Sequence, residues 1–204
     1  MICILGCLNT ENGNKIKDEM CSWLNQEHNV FISYHDGSKY EYPSILKVIH
    51  CSIELNEPVL YVHTKGAYNT VPLNYKTSMM ASDVNYPKEA KPEDCQKIVR
   101  NMWKHEFSGD RLKLYLDVVN TDKPVVACPL TGKEKITWQN GWIINPSAAK
   151  ELLKTFHFDN SRYYYEQMFK NTNINVIGLI SNNININNNK HSDMWNIIWK
   201  FYDK

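Results

Sequence analysis

Pro58-Val59-Leu60-Tyr61-Val62-His63-Thr64-Lys65-Gly66 is the stretch that decides the fold. Four apolar residues behind a proline read as a short strand buried on both faces. His63, Thr64 and Lys65 then break the apolar run, and a glycine follows. Working outward, Ile2 to Leu8 is a first apolar strand ending in Asn9-Thr10. Ile16, Met20, Trp23 and Leu24 recur on one face of a helix. Asn29 to Tyr34 reads as a second strand, closed by His35-Asp36-Gly37-Ser38. Pro43 suits the first turn of a second helix, with Ile45, Ile49 and Ile53 on one face. Strand, helix, strand, helix, strand predicts a parallel sheet with crossover helices. Ligands of such sheets gather at the carboxyl ends of the strands, so residues 1–66 are expected to be a nucleotide-binding half.

Downstream, residues 67–92 form a polar, proline-containing stretch, and long loops of that kind are usually functional or disordered. Helical spacing returns at Ile98, Val99, Met102 and Glu106, and again at Leu112, Tyr115, Leu116 and Val119. Val125 to Leu130 and Ile136 to Ile144 read as strands, and Pro146 to Lys154 as a helix. Ile174 to Ile180 reads as an edge strand, followed by an asparagine-rich tract over 181–189 expected to be a solvated loop. Trp195, Ile198, Trp199 and Tyr202 have the spacing of an amphipathic C-terminal helix that docks on the body. The organisation expected is one domain of 204 residues, with an acceptor half at 93–170 and a C-terminal extension at 171–204.

Composition narrows the function classes. The net charge is +1, which supplies no global field toward nucleic acid or an anionic membrane, so any phosphate binding must be local. The six cysteines lack the spacing of a zinc site and read as buried free thiols of a reducing compartment. The apolar start lacks a basic leader, and no run approaches the ~20 apolar residues of a membrane span. A cytoplasmic protein is expected.

Four constellations can carry chemistry. Asp36, in the turn after the second strand, can accept the imide N–H of a uracil ring while Gly37 permits the sharp turn; ordinary Asp-Gly turn chemistry competes. Lys65 beside Gly66 can reach a diphosphate as a point charge, and His63 can donate to a phosphate or sugar oxygen. Trp138-Gln139-Asn140-Gly141-Trp142 offers a flat apolar face with hydrogen-bonding groups for a sugar ring, against plain core packing of the tryptophans. Arg162-Tyr163-Tyr164-Tyr165-Glu166 places a carboxylate among aromatics, where it can serve as a base; an Arg162–Glu166 helix pair is the competing account.

Together these residues resemble a family of GT-A-like glycosyltransferases found in bacterial polysaccharide clusters and giant viruses. His63-Thr64-Lys65-Gly66 resembles its His-Thr-Lys-Gly motif, and Arg100 with Met102 resembles a following Arg/Met helix. Asn140-Gly141-Trp142 is similar to a Gly-Asn-Phe-Trp-Trp segment, and Arg162 with Glu166 to an Arg-x-x-x-Glu element. The resemblance covers roughly residues 1 to 170. It implies a mixed, mainly parallel sheet flanked by helices and transfer of a sugar from a nucleotide donor, UDP-linked by preference, to a glycan or glycoprotein hydroxyl. In that reading Cys7, Leu8, Asn9 and Asp36 hold the base. His63 and Lys65 hold the diphosphate, and Thr64, Gly66 and Arg100 also belong to the donor site. Asn140, Gly141, Trp142 and Arg162 take the acceptor, and Glu166 and Asp83 are catalytic. GT-A enzymes in general usually carry Asp-x-Asp where this chain has His63-Thr64-Lys65. A divalent cation, Mn2+ or Mg2+, therefore falls to Asp83, or Lys65 supplies the charge itself. A non-catalytic carbohydrate-binding module and a nucleotidyltransferase on a similar sheet are the alternatives.

Overall fold

The computed structural model describes residues 1–65, 67, 92–159 and 164–180, with 198 and 202; the side chains of 92–95, 133 and 138 are excepted. Its elements run β1 (Ile2–Leu8), α1 (Glu11–Leu24), β2 (Asn29–His35), α2 (Tyr42–Leu55), β3 (Val59–His63), α3 (Pro92–Glu106) and α4 (Gly109–Val119). They continue with β4 (Val125–Cys128), β5 (Trp142–Ile144), α5 (Pro146–Leu153), α6 (Tyr164–Gln167) and β6 (Asn175–Gly178).

The strands make one six-stranded mixed sheet in the order β2-β1-β3-β5-β4-β6. β1 pairs in parallel with both β2 and β3, and β4 with β6. β5 runs against both of its neighbours, β3 and β4. Two hydrophobic cores lie on opposite faces. Leu5, Leu60, Val62 and Ile143 pack with α1, α3 and α4 on one. Ile4, Val59, Tyr61 and Ile144 pack with α2, α5 and Tyr165 on the other. Alternate residues of β1 and β3 thus serve both cores, which is why their sequences are continuously apolar.

Helix ends follow local chemistry. Thr10 caps α1 by accepting the Gly13 N–H at 3.0 Å, and Asn145 caps α5 by accepting the Ala148 N–H at 2.9 Å. Ile198 is buried in the α1/α3/α4 core and Tyr202 donates to Glu106 Oε1 at 2.8 Å, so those two residues do pack on the body.

One expected strand is largely absent. Residues 136–144 were to be extended throughout, yet only Trp142–Ile144 is a strand. Gln139 and Asn140 have φ of +69° and +49°, preceded by Glu134 at +58° and Lys135 at +62°. Left-handed backbone cannot continue a ladder, so the chain coils before it enters the sheet. The hydrophobic alternation of Ile136, Trp138 and Trp142 belongs to a turn held by long-range hydrogen bonds, which local pattern does not report. The fourth strand also ends at Cys128, ahead of Pro129, rather than reaching Leu130.

Candidate functional site

The order β2-β1-β3 reverses direction at β1: α1 crosses on one face and α2 on the other. Such a switch opens a crevice at the carboxyl ends of the strands, where ligands of parallel sheets bind. Here those ends are Leu8-Asn9 of β1, His35-Asp36 of β2 and His63-Thr64-Lys65 of β3.

An open cleft of about 380 Å³ lies at the ends of β1 and β2, lined by Asn9, Tyr34, His35, Asp36, Ser38, Lys39 and Pro43. Asn9 and Asp36, distant in sequence, are therefore neighbours. The Asn9 N–H donates to the His35 carbonyl at 2.8 Å, which ties the two strand ends together. Asp36 Oδ1 accepts the Ser38 N–H at 2.8 Å, and Gly37 turns with φ of +85°. That turn is the one Asp-Gly predicts. Hydrogen bonds from Ser38 hold the Asp36 carboxyl below its ordinary value, so it is an anion at neutral pH. Burial pushes the His35 imidazole down, against the opposing pull of Glu41 and Asp36.

Cys7 and Leu8 do not line this cleft. Both are buried, and the Cys7 thiol, pushed up by burial, donates to the carbonyl of Gly13 at 3.7 Å. At the β3 end, Thr64 is buried and its Oγ1 accepts the Leu8 N–H at 3.1 Å, bridging β1 to β3. Lys65 is 7% exposed, a cation almost withdrawn from water at the strand end. Arg100 of α3 donates to the Lys65 carbonyl at 2.8 Å and makes a two-pronged contact with Glu19 of α1, at 2.9 and 3.1 Å. Its guanidinium therefore props the turn behind Lys65 and pins α3 to α1.

The acceptor-side residues separate into two kinds. Trp142 is fully buried, against Tyr61 at 5.0 Å and Phe169 at 5.8 Å between ring centroids, so it is a core residue with no free face for a sugar. Gly141 lets the Trp103 indole lie directly on the backbone: a Cβ there would sit 2.2 Å from Trp103 Nε1. The indole N–H groups of Trp103 and Trp142 are both buried without a hydrogen-bond partner. Asn140, also buried, donates its amide to Glu41 Oε2 at 2.9 Å. The Glu166 carbonyl accepts the Thr137 N–H at 2.9 Å, which fastens α6 to the same coil. Gly66, Asp83, Arg162, Tyr163 and the Trp138 ring lie outside the described residues.

Glu41 is the residue the sequence reading passed over. It sits at the N-cap of α2 but makes no side-chain cap. Its carboxylate turns instead toward β3, accepting from Tyr61 OH at 3.2 Å and Asn140 Nδ2 at 2.9 Å, and stands 3.6 Å from His63 Nδ1. Burial and the Glu41 charge together push the Tyr61 phenol well up, so it stays a donor. In sequence, Tyr40-Glu41-Tyr42-Pro43 carries only a helix-start signal, and nothing local marks Glu41 as a part-buried hub.

Glu106 is a buried structural hub bonded by Arg111, Tyr115, Tyr202 and His105. Among the described residues no group of three or more His, Cys, Asp or Glu could hold a metal ion, and no helix is long and apolar enough to cross a membrane. Compared with known proteins, the chain matches no family model, no curated protein and no solved structure.

Proposed function

We propose that this chain is a glycosyltransferase of the GT-A type, moving a sugar from a nucleotide-linked donor, UDP-linked by preference, to a hydroxyl of a glycan or glycoprotein acceptor. The observation that carries the reading is the convergence of Asn9, Asp36 and an open cleft with His63 and Lys65, all at the carboxyl ends of strands flanking the switch at β1. A carboxylate and an amide at the cleft suit the edge of a uracil ring. Lys65 suits the diphosphate: a cation already stripped of most of its water interacts more strongly with an anion than an exposed one does. The acceptor falls to the Asn140 and Glu166 side of the crevice, and Asp83 to a divalent cation, Mn2+ or Mg2+, which would supply further charge at the diphosphate. Trp142 is buried in the core and so offers no face of its own to a carbohydrate ring.

The test is thermal denaturation against UDP, CDP, GDP, ADP and TDP, each with and without Mn2+. A ligand at a hundred times its dissociation constant stabilises by about 2.7 kcal/mol, roughly 5–11 °C for a chain of this size. UDP is expected to raise the melting temperature most, and UDP-sugars to release UDP in a coupled assay. Absence of a shift with every nucleotide would refute the proposal.

A further inference from the structure

Resting on that reading, we propose that the phenol ring of Tyr34 is the platform on which the donor's base stacks, so that Tyr34 holds the nucleotide while Asp36 and Asn9 choose its base. Tyr34 stands at the carboxyl end of β2, one residue before the strand closes at His35. It forms part of the wall of the cleft of about 380 Å³, together with Asn9, Asp36 and Pro43. It is 51% exposed, so a ligand in the cleft can reach the ring without any rearrangement of the core.

Position, more than exposure, sets this ring apart. Phe31, on the same strand, is 50% exposed, yet it takes no part in the cleft. Single exposed aromatics are ordinary on protein surfaces, and Phe31 needs no ligand to explain it. Parallel register aligns Cys7 of β1 with Tyr34 of β2, and Leu8 with His35. Just past those pairs the two chains run out into Asn9 and Asp36, whose side chains line the same cleft as Tyr34. The cleft therefore carries an aromatic ring, a carboxylate two residues further along the same chain, and an amide from the neighbouring strand. From α1, Lys17 Nζ reaches Tyr34 OH at 3.5 Å, a loose contact with the hydroxyl rather than with the ring.

A base offers a protein two things to recognise, a flat π face and a hydrogen-bonding edge. Stacking on an aromatic side chain tolerates any base, because every base has a π face. The edges differ. Uracil presents an imide N–H, which a carboxylate accepts; cytosine presents a lone pair at the same ring position, which a carboxylate repels. Asp36 Oδ1 already accepts the Ser38 N–H at 2.8 Å, but a carboxylate offers about four lone-pair positions and can accept again. The roles divide accordingly. Tyr34 contributes to the binding of every nucleotide alike, and the preference for uridine rests on the polar pair beside it.

Calorimetry of the full chain with UDP, CDP and ADP tests the assignment. Tyr34→Ala is expected to weaken every nucleotide that the parent binds by about fivefold or more, as for loss of one stacked base, and by the same factor for each within about threefold. Tyr34→Phe keeps the ring and removes the hydroxyl, so it should bind within about threefold of the parent. Phe31→Ala, the control on the same strand, should bind as the parent does. In NMR of the parent, saturating the uracil H5 and H6 protons of bound UDP should transfer to the Tyr34 ring protons, assigned with Tyr34→Phe. That readout needs no alanine variant to fold. The stacking is overturned if Tyr34→Ala binds UDP as the parent does, if Tyr34→Phe loses as much as Tyr34→Ala, if the loss is confined to one base, or if no saturation reaches the Tyr34 ring. A parent that binds no nucleotide defeats the donor reading and the stacking together. A parent that binds UDP with Tyr34→Ala unaffected defeats the stacking alone.

Discussion

Replacing Gly141 with alanine tests the packing beneath the candidate site. Gly141 has φ of −115° and ψ of +117°, backbone that alanine adopts without strain. Conformational entropy alone would then make the change mildly stabilising, by about 0.4–1 kcal/mol. Sterics oppose it. The added Cβ would meet Trp103 Nε1 at 2.2 Å, Cε2 at 2.6 Å and Cδ1 at 2.7 Å. Ordinary carbon contacts lie at ~3.5–4.0 Å, so the indole would have to retreat by about 1 Å. Trp103 is fully buried, with His63 at 5.4 Å between ring centroids, so any retreat must displace its neighbours. Overpacking of this kind costs typically 1–3 kcal/mol and at times more, and the rigid double ring places it near the top, at about 3 kcal/mol. For a chain of this length that is a fall of roughly 6–12 °C in melting temperature, read by circular dichroism. Trp103→Ala removes the clashing indole and its unpaired N–H together. The double variant should therefore recover at least about 1 kcal/mol relative to the sum of the singles. A Gly141→Ala variant that melts with the parent and loses UDP or acceptor binding would refute the reasoning. It would mean that Gly141 is kept open for a ligand rather than for Trp103.

Other outcomes follow from the same geometry. Lys65→Met should weaken UDP binding about tenfold or more by calorimetry, since a hydrogen bond to a charged group is worth about 1.5–3 kcal/mol. Asp36→Ala should cost UDP at least about tenfold and erode the preference for uridine over cytidine nucleotides; an unchanged preference returns Asp36 to its turn. Glu106 gives a pH dependence of stability. Burial raises its pKa, but hydrogen bonds from Arg111, Tyr115, Tyr202 and His105 outweigh that and hold it below the ordinary value. The stability it contributes is therefore complete above the unfolded carboxyl's value near 4.5 and is lost as pH falls through the lower folded value. Glu106→Gln should destabilise by about 2 kcal/mol at neutral pH, less than a fully buried pair because Arg111 reaches solvent, and should flatten that acid dependence in urea titrations.

Periodicity in the sequence was enough for β1, α1, β2, α2 and β3, because each buries a stripe or a full strand whose spacing is set by the backbone itself. Proline placed the starts of α2 and α5 nearly to the residue, and the turn at Asp36-Gly37 is equally local. The sequence also sufficed to put His63, Thr64 and Lys65 at a strand's carboxyl end. What it did not carry was which of those groups remain available. Thr64 is spent on the Leu8 N–H, Arg100 on Glu19 and the Lys65 carbonyl, and Trp142 on the core. The coil over 136–141 looked like a strand because alternation counts apolar residues and is blind to the bonds from Asn140 to Glu41 and from Thr137 to the Glu166 carbonyl. Glu41 itself was invisible for the same reason. A carboxylate becomes a hub only when partners 20 and 99 residues away arrive around it, and that arrangement exists only once the chain has folded.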